Sequence, residues 1–190
     1  MADESALRWE TLDRERSHTC SAFEVFTDRV RLPDGSESRF DFVREPPSAV
    51  VLGLTMDEEV VVVEEYRHAV GRIALGLPGG SAEPGDEDMS ETAARELYEE
   101  AGYRAAMFEA LLVAEPANGL LDSVRYYFVA RGCRHVGETD RDADESMRVR
   151  TMRLSELLDL VRRGEVRDER TVTAALMYDA KARAREVVSP

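Results

Sequence analysis

Apolar and polar positions alternate with a period of two over residues 9–43: Phe23 and Val25, Val30 and Leu32, then Phe40 and Phe42 are separated by polar residues. Pro33, Asp34 and Gly35 supply the turn, so a small β-hairpin unit is predicted ahead of the main domain. From residue 48 the pattern changes. Residues 48–55 and 60–66 are almost continuously apolar, joined by a polar stretch at 56–59, which predicts two strands of a sheet covered on both faces. Further strands are predicted at 73–77, 108–115, 124–131 and 147–152, with a loop over 116–122. Two helices are predicted near the end. One runs from a capping Ser155 to Arg163 with Gly164 as its stop, and the other covers 171–186. This order gives an α/β sandwich with a mixed sheet, residues 46–190, preceded by a small β subdomain, residues 1–45.

Between the strand at 73–77 and the strand at 108–115 lies the stretch in which chemistry concentrates. Residues 79–103 combine a glycine turn at Gly79 and Gly80, an acidic loop, and a helix ended by Gly102. With Glu96 at zero on a helical wheel, Glu99 falls near 300° and Glu100 near 40°, so three carboxylates share one face. Ala94, Leu97, Tyr98 and Ala101 fall between roughly 100° and 200° and are predicted to form the packing face. Three acids at that spacing repel one another, which is tolerable on a well-solvated face or around a cation. With oxygen donors only and neither His nor Cys nearby, the cation selected is a hard one, Mg²⁺ or Mn²⁺.

Arg95, Glu96, Leu97, Tyr98, Glu99, Glu100, Ala101, Gly102 and Tyr103 match, without a gap, the second half of the Nudix box, GX5EX7REUXEEXGU with U apolar. The segment resembles that family. The first half carries one extra residue: counting from Gly80 puts Asp86 at the acidic position, and counting back from Arg95 puts Glu87 there. The preceding hairpin unit, the segment Glu65, Tyr66, Arg67, His68 and a proline at 116 resemble the ADP-ribose and nucleoside diphosphate sugar pyrophosphatases. The loop after Pro116 departs from theirs, with Ala117 and Asn118 where a serine and a second proline are usual.

The resemblance implies metal-dependent hydrolysis of the diphosphate in ADP-ribose or another nucleoside diphosphate sugar, giving a nucleoside monophosphate and a sugar phosphate. It implies Glu96 and Glu100 as metal ligands, Glu99 as a ligand directly or through water, and the main-chain carbonyl of Gly79 or Gly80 as another. Arg95 would orient the carboxylates. Glu145, last of the acids in the segment 137–145, would be the general base. Arg67 would contact the diphosphate, unless it pairs with Glu64 or Glu65 instead, and Pro116 would shape the sugar loop. The hairpin unit would pair two subunits into a homodimer, with Phe26 of one subunit stacking on the base held by the other. Two other functions share these residues: hydrolysis of nucleoside triphosphates or dinucleoside polyphosphates, and a nucleotide sensor that binds without cutting. A sensor would have lost box carboxylates, and this chain keeps Glu96, Glu99 and Glu100.

Charge narrows the partners. A net charge of −14 argues against nucleic acid or an anionic membrane surface and leaves a small nucleotide bound through metal and arginine. Without an apolar run of about 20 residues or a signal-peptide pattern at the start, a cytoplasmic protein is expected. Cys20 and Cys133 make no disulfide framework, and His18, His68 and His135 are isolated. Lys181 is the only lysine beside 24 arginines, a skew that fits either a high-salt surface or a biased coding sequence.

Overall fold

The computed structural model describes residues 6–137 and 147–188, with side chains through Arg185. The chain divides into two compact units, Met1–Pro47 with Glu115–Val124, and Ser48–Ala114 with Arg125–Pro190. The first therefore takes in a segment 70 residues downstream of the hairpin, which the sequence assigns to a loop of the main domain.

In the first unit, strands β1 (Glu10–Thr19), β2 (Glu24–Arg31) and β3 (Glu37–Arg44) form an antiparallel meander. The turn between β2 and β3 lies at the predicted residues, with Gly35 at a φ of 83°. A two-residue strand, β9 (Leu121–Asp122), adds to β3 in parallel inside the segment predicted as a loop. On one face of this sheet Phe26 stacks on Phe42 at 5.5 Å, and the guanidinium of Arg14 lies 4.9 Å from the Phe42 ring. Arg14 also grips Asp28 with two hydrogen bonds of 2.7 Å. That pairing permits Asp28 to be buried and holds its carboxyl below the usual range against the cost of desolvation. β1 is an outer strand exposed along nearly its whole length, and its ladder with β2 breaks register at Thr11/Asp13 and at Arg16/His18. Cys20, in the turn that follows, is exposed.

The second unit is built on a mixed sheet in the order β11, β5, β4, β10, β7. Its central strands are β4 (Ser48–Thr55), antiparallel to β5 (Glu59–Arg67) and parallel to β10 (Arg125–His135). β6 (Arg72–Gly76) pairs with β5, β8 (Met107–Ala114) with β10, β7 (Tyr103–Arg104) with the end of β10, and β11 (Met147–Arg153) with β5. Successive residues of β4 and β5 serve opposite faces, which explains their unbroken apolar character. Val51, Val61 and Val63 pack with Ala93, Leu97 and Ala101 of helix α1 (Met89–Ala101), and Cys133 is buried there. Burial pushes its thiol up to about 11. Val50, Leu52, Val60 and Val62 pack on the other face with helices α2 (Leu154–Arg162) and α3 (Glu169–Val188). Among the described residues no helix is long and apolar enough to cross a membrane.

Two predicted helix starts move. α2 begins at Leu154 directly after β11, with Arg153 as its N-cap and no side-chain cap bond, so Ser155 is its second residue rather than its cap. α3 begins two residues before the predicted 171, because Asp168 caps it: its carboxylate accepts from the Thr171 N–H at 3.0 Å and the Thr171 hydroxyl at 2.6 Å. The stop at Gly164 stands, with φ of 70°.

Candidate active site

α1 is fixed at both ends by its own sequence. Asp88 accepts from the N–H of Ser90 at 2.7 Å and of Glu91 at 3.2 Å, and Gly102, at a φ of 71°, returns its N–H to Tyr98 at 2.7 Å. The helix then buries Ala93, Leu97 and Ala101, a face turned from the predicted one; Ala94 is exposed and Tyr98 only half-buried. The turn has a chemical consequence. Glu96 and Glu100, placed by the wheel on a face opposite the core, are instead 8% and 6% exposed. Only Glu99 keeps substantial solvent contact, with a side chain 32% exposed.

What receives these two carboxylates is the glycine turn. Residues 78–81 lie along the start of β4, with Val51 N–H donating to Pro78 O and Ala49 N–H to Gly80 O, both at 2.9 Å. A Cβ on Gly79 would stand 2.3 Å from the Ala49 carbonyl oxygen, and one on Gly80 would stand 2.5 Å from Oε1 of Glu96. Gly79 demands glycine because backbone stands in the way, whereas a side chain at position 80 would push the Glu96 carboxylate aside. The Gly79 N–H donates to Oε2 of Glu100 at 2.8 Å, so the α1 acids and the turn form one hydrogen-bonded unit.

Arg95 organises the rest. Its Nη1 donates to Glu96 at 2.9 Å and Glu99 at 3.0 Å, with Glu83 at 3.4 Å; its Nη2 donates to the Ser81 carbonyl at 2.8 Å and Asp86 at 3.1 Å. Burial opposes the charge on this guanidinium, but Asp86, Glu99 and Glu96 outweigh it and hold the group above the ordinary arginine range. Of the two candidates for the first acid of the box, the structure brings Asp86 to this centre. Its carboxylate also accepts from the Glu83 N–H at 2.9 Å and the Thr92 hydroxyl at 2.8 Å, and these donors, Arg95 first, lower it to about 2. Glu87 is exposed, and its N–H donates to Oε2 of Glu91 at 2.8 Å.

One contributor lies outside the box and its neighbouring motifs. The N-terminus of α3 closes the back of the turn: the Thr171 hydroxyl, fully buried, accepts the Leu77 N–H at 3.0 Å, and Arg170 donates to the Gly79 carbonyl at 3.5 Å while pairing with Asp168 at 3.2 Å. Asp168 three residues before Thr171 is an N-cap pattern and was the available signal. Of the two carbonyls considered as metal ligands, that of Gly80 is spent on Ala49, and that of Gly79 faces this arginine.

The donor chemistry fits a hard divalent cation. Four carboxyl groups, those of Glu83, Asp86, Glu96 and Glu99, gather with the Ser81 carbonyl around the Arg95 guanidinium, Glu100 lies one helical turn on against the Gly79 N–H, and all of these groups are oxygen donors. Among the described residues no three acidic, histidine or cysteine side chains converge on one point, since Arg95 draws Glu96 and Glu99 to itself and Gly79 draws Glu100. Elsewhere, Arg67 pairs with Glu65 at 2.8 Å, the ion pair weighed against a diphosphate contact. Phe26 is buried, its ring stacked on Phe42 with the Arg44 guanidinium 4.7 Å away, so within one chain its face is taken. Pro116 is half-buried at the start of a turn in the first unit, and Glu145 lies outside the described residues.

Comparison with known proteins decides the lineage of this arrangement. The NUDIX domain family matches residues 44–176. The chain belongs to the Nudix family. It is 30% identical over 165 residues to the methanol dehydrogenase activator of Bacillus methanolicus, covering 86% of this chain and 89% of that protein. It is 29% identical over 170 residues to the ADP-ribose pyrophosphatase of Bacillus subtilis, covering 89% and 91%. A solved structure of an ADP compounds hydrolase superposes with a TM-score of 0.82 at 21% identity, covering 94% of this chain and 97% of the other, and shows the same Nudix fold. The matched range takes in the glycine turn and the whole of α1.

Proposed function

We propose that this Nudix protein hydrolyses the diphosphate linkage of ADP-ribose or a related nucleoside diphosphate sugar, releasing a nucleoside monophosphate and a sugar phosphate. The observation that carries the reading is the burial of Glu96 and Glu100 beneath the Gly79–Gly80 turn, an expensive placement for two acids that a purely structural helix face would not retain. The resemblance to an ADP-ribose pyrophosphatase along most of both chains supports the substrate class.

In this reading Glu96, Glu100 and the Gly79 carbonyl would hold Mg²⁺ or Mn²⁺, and Glu99 would complete the set directly or through water. The bound cation would neutralise charge that builds on the phosphate oxygens as the bond breaks. Arg95 keeps Glu96 and Glu99 from repelling each other and fixes their rotamers, and Asp86 fixes Arg95 in turn. Glu145 takes the proton of the attacking water. Arg67 leaves Glu65 for the diphosphate, an exchange of one carboxylate for a doubly charged partner that its forked donors suit. The active species is a cytoplasmic homodimer paired through the first unit, which brings an aromatic side chain to the base.

A substrate panel tests this. ADP-ribose, other nucleoside diphosphate sugars, nucleoside triphosphates and dinucleoside polyphosphates are each incubated with Mg²⁺ and with Mn²⁺, and the products are resolved by ion-exchange chromatography. Nucleoside monophosphate plus sugar phosphate from a diphosphate sugar is expected; preferential loss of pyrophosphate from triphosphates would replace the reading, and tight binding without cleavage would make the protein a sensor.

A further inference from the structure

The glycine turn is held by two arginines, with different grips. Arg95 makes four bonds of 2.8–3.1 Å, to Asp86, Glu96, Glu99 and the Ser81 carbonyl. Arg170, the second residue of α3, makes two longer ones. Its Nε donates to Asp168 at 3.2 Å, and its Nη1 to the Gly79 carbonyl at 3.5 Å, longer than an ordinary hydrogen bond. Its side chain keeps 20% of its surface in solvent, so a ligand can reach it. Asp168 gives it one oxygen, because the other accepts from the N–H and the hydroxyl of Thr171.

The Gly79 carbonyl is also the oxygen proposed above to face a divalent cation. A guanidinium and a divalent cation on one oxygen are like charges at close range, in a half-buried place where water screens them weakly. Arg170 must therefore give up the carbonyl when a cation takes it. A guanidinium has five donors, no acceptor and a permanent charge, so the partner it moves to is an anion. The acids beside the turn are already engaged: Asp86, Glu96 and Glu99 by Arg95, and Glu100 by the Gly79 N–H. Oxygens that share one small cation stand about 3–4 Å apart, so a phosphate oxygen brought in on that cation would come within reach of this side chain.

We propose that Arg170 couples cation and phosphate at this site: it covers the Gly79 carbonyl while no cation is bound, and turns to a phosphate oxygen once a cation holds the carbonyl. This role rests on the metal-dependent hydrolysis proposed above and adds an order of preference to it. A cation arriving alone has to displace the guanidinium, so Arg170 weakens its binding. A cation arriving with a phosphate ligand gains from the same charge, because the guanidinium then has an anion to hold. Each ligand tightens the other by the same factor, as linkage requires. The site thus fills with both together in preference to the cation alone.

Mn²⁺ binding to the full chain, measured by the loss of the free-ion EPR signal, tests this. It is followed with and without α,β-methylene ADP-ribose, a substrate analogue whose bridging CH₂ blocks cleavage, and a protein-free titration corrects for Mn²⁺ held by the analogue. Arg170→Ala and Arg170→Gln are expected to bind Mn²⁺ alone about tenfold more tightly than the parent, and Arg170→Lys, which keeps the charge, about as the parent does. Glutamine can still donate to the carbonyl, so that variant removes charge with the least disturbance of the fold. The analogue should raise Mn²⁺ affinity about tenfold in the parent and in Arg170→Lys, and about twofold or less in the two neutral variants. Loss of a merely structural contact would not tighten metal binding, so the direction of the first effect separates the two roles. Neutral variants that bind Mn²⁺ no more tightly than the parent overturn the coupling, as does an analogue whose effect is the same with and without the charge at Arg170. Glu100→Gln shows which proposal has failed. If it weakens Mn²⁺ binding while the Arg170 variants change nothing, the metal site stands and the coupling falls; if it leaves Mn²⁺ binding unchanged, both fall.

Discussion

Asp86 and Glu100 are both acidic groups of the box segment, yet their surroundings give them different tasks. Glu100 is buried with one oxygen on the Gly79 N–H, whereas Asp86 accepts from Arg95, the Thr92 hydroxyl and the Glu83 N–H. Glu100→Gln is expected to lower turnover by roughly 100-fold or more while leaving the melting temperature nearly unchanged, because a glutamine oxygen can still accept from Gly79. Asp86→Ala should do the reverse in emphasis, with a lower melting temperature from the loss of three bonds and a smaller loss of turnover. Glu87→Ala should change neither, since its side chain is exposed and Arg95 is held by Glu83, Asp86, Glu96 and Glu99 instead. Turnover at saturating Mg²⁺ and thermal unfolding of all three variants check the order; equal losses of turnover would place Asp86 and Glu87 among the groups that touch the substrate or metal. The sequence counts left these two residues as alternatives because one inserted residue shifts the spacing by one either way, and only the position of the Arg95 guanidinium separates them.

At the level of elements, much was legible where side-chain period and burial agree. The runs at 48–55 and 60–66 could be read as strands covered on both sides because successive residues over 49–52 and 60–63 meet opposite core clusters, and Gly102 and Gly164 marked helix ends because both adopt left-handed backbone. The phase of α1 was not legible. A wheel built on charge put the carboxylates outside, but the two glycines leave a recess that accepts Glu96 and Glu100, and the helix rotates to fill it. β9 escaped notice since a two-residue strand has no period of its own and exists through its pairing with β3, 78 residues earlier for the Val43 to Leu121 pair. The α3 cap was missed because Asp168 acts on the strand-to-turn connection of another element through Thr171. Its carboxyl is lowered: burial pushes it up, and Arg170 together with the Thr171 bonds more than compensates. A depressed folded-state pKa means that this group stabilises the fold above the unfolded carboxylate value of about 3.9, and that the contribution fades as pH falls through the folded value. Asp168→Asn should therefore destabilise by about 1–2 kcal/mol near neutral pH, with the gap to the parent protein narrowing below about pH 4. Urea unfolding at pH 7 and pH 3 measures it; a gap that does not depend on pH would assign the loss to packing.

For the whole molecule, the proposed dimer is the feature with the widest consequences. The first unit is a four-stranded sheet whose apolar side chains Trp9, Phe23 and Phe40 are 49%, 36% and 36% exposed, and whose outer strand β1 offers little to cover them. A two-fold pairing would bury the same side chains twice. Light scattering of the full chain at low and high salt is expected to give twice the chain mass, and salt tolerance is part of the expectation because the contact is apolar rather than ionic. A single-chain mass at assay concentration in both conditions would rule the pairing out.

The contrast between the two cysteines gives this molecule a built-in address. Cys133 is sealed under α1 with its thiol pushed up to about 11, so at neutral pH it has almost no thiolate to react, while Cys20 stands exposed at the end of β1. A maleimide spin label or dye added to the native protein will therefore mark one place per chain, in the first unit, without any engineering. In a paired assembly that single mark becomes a symmetric ruler.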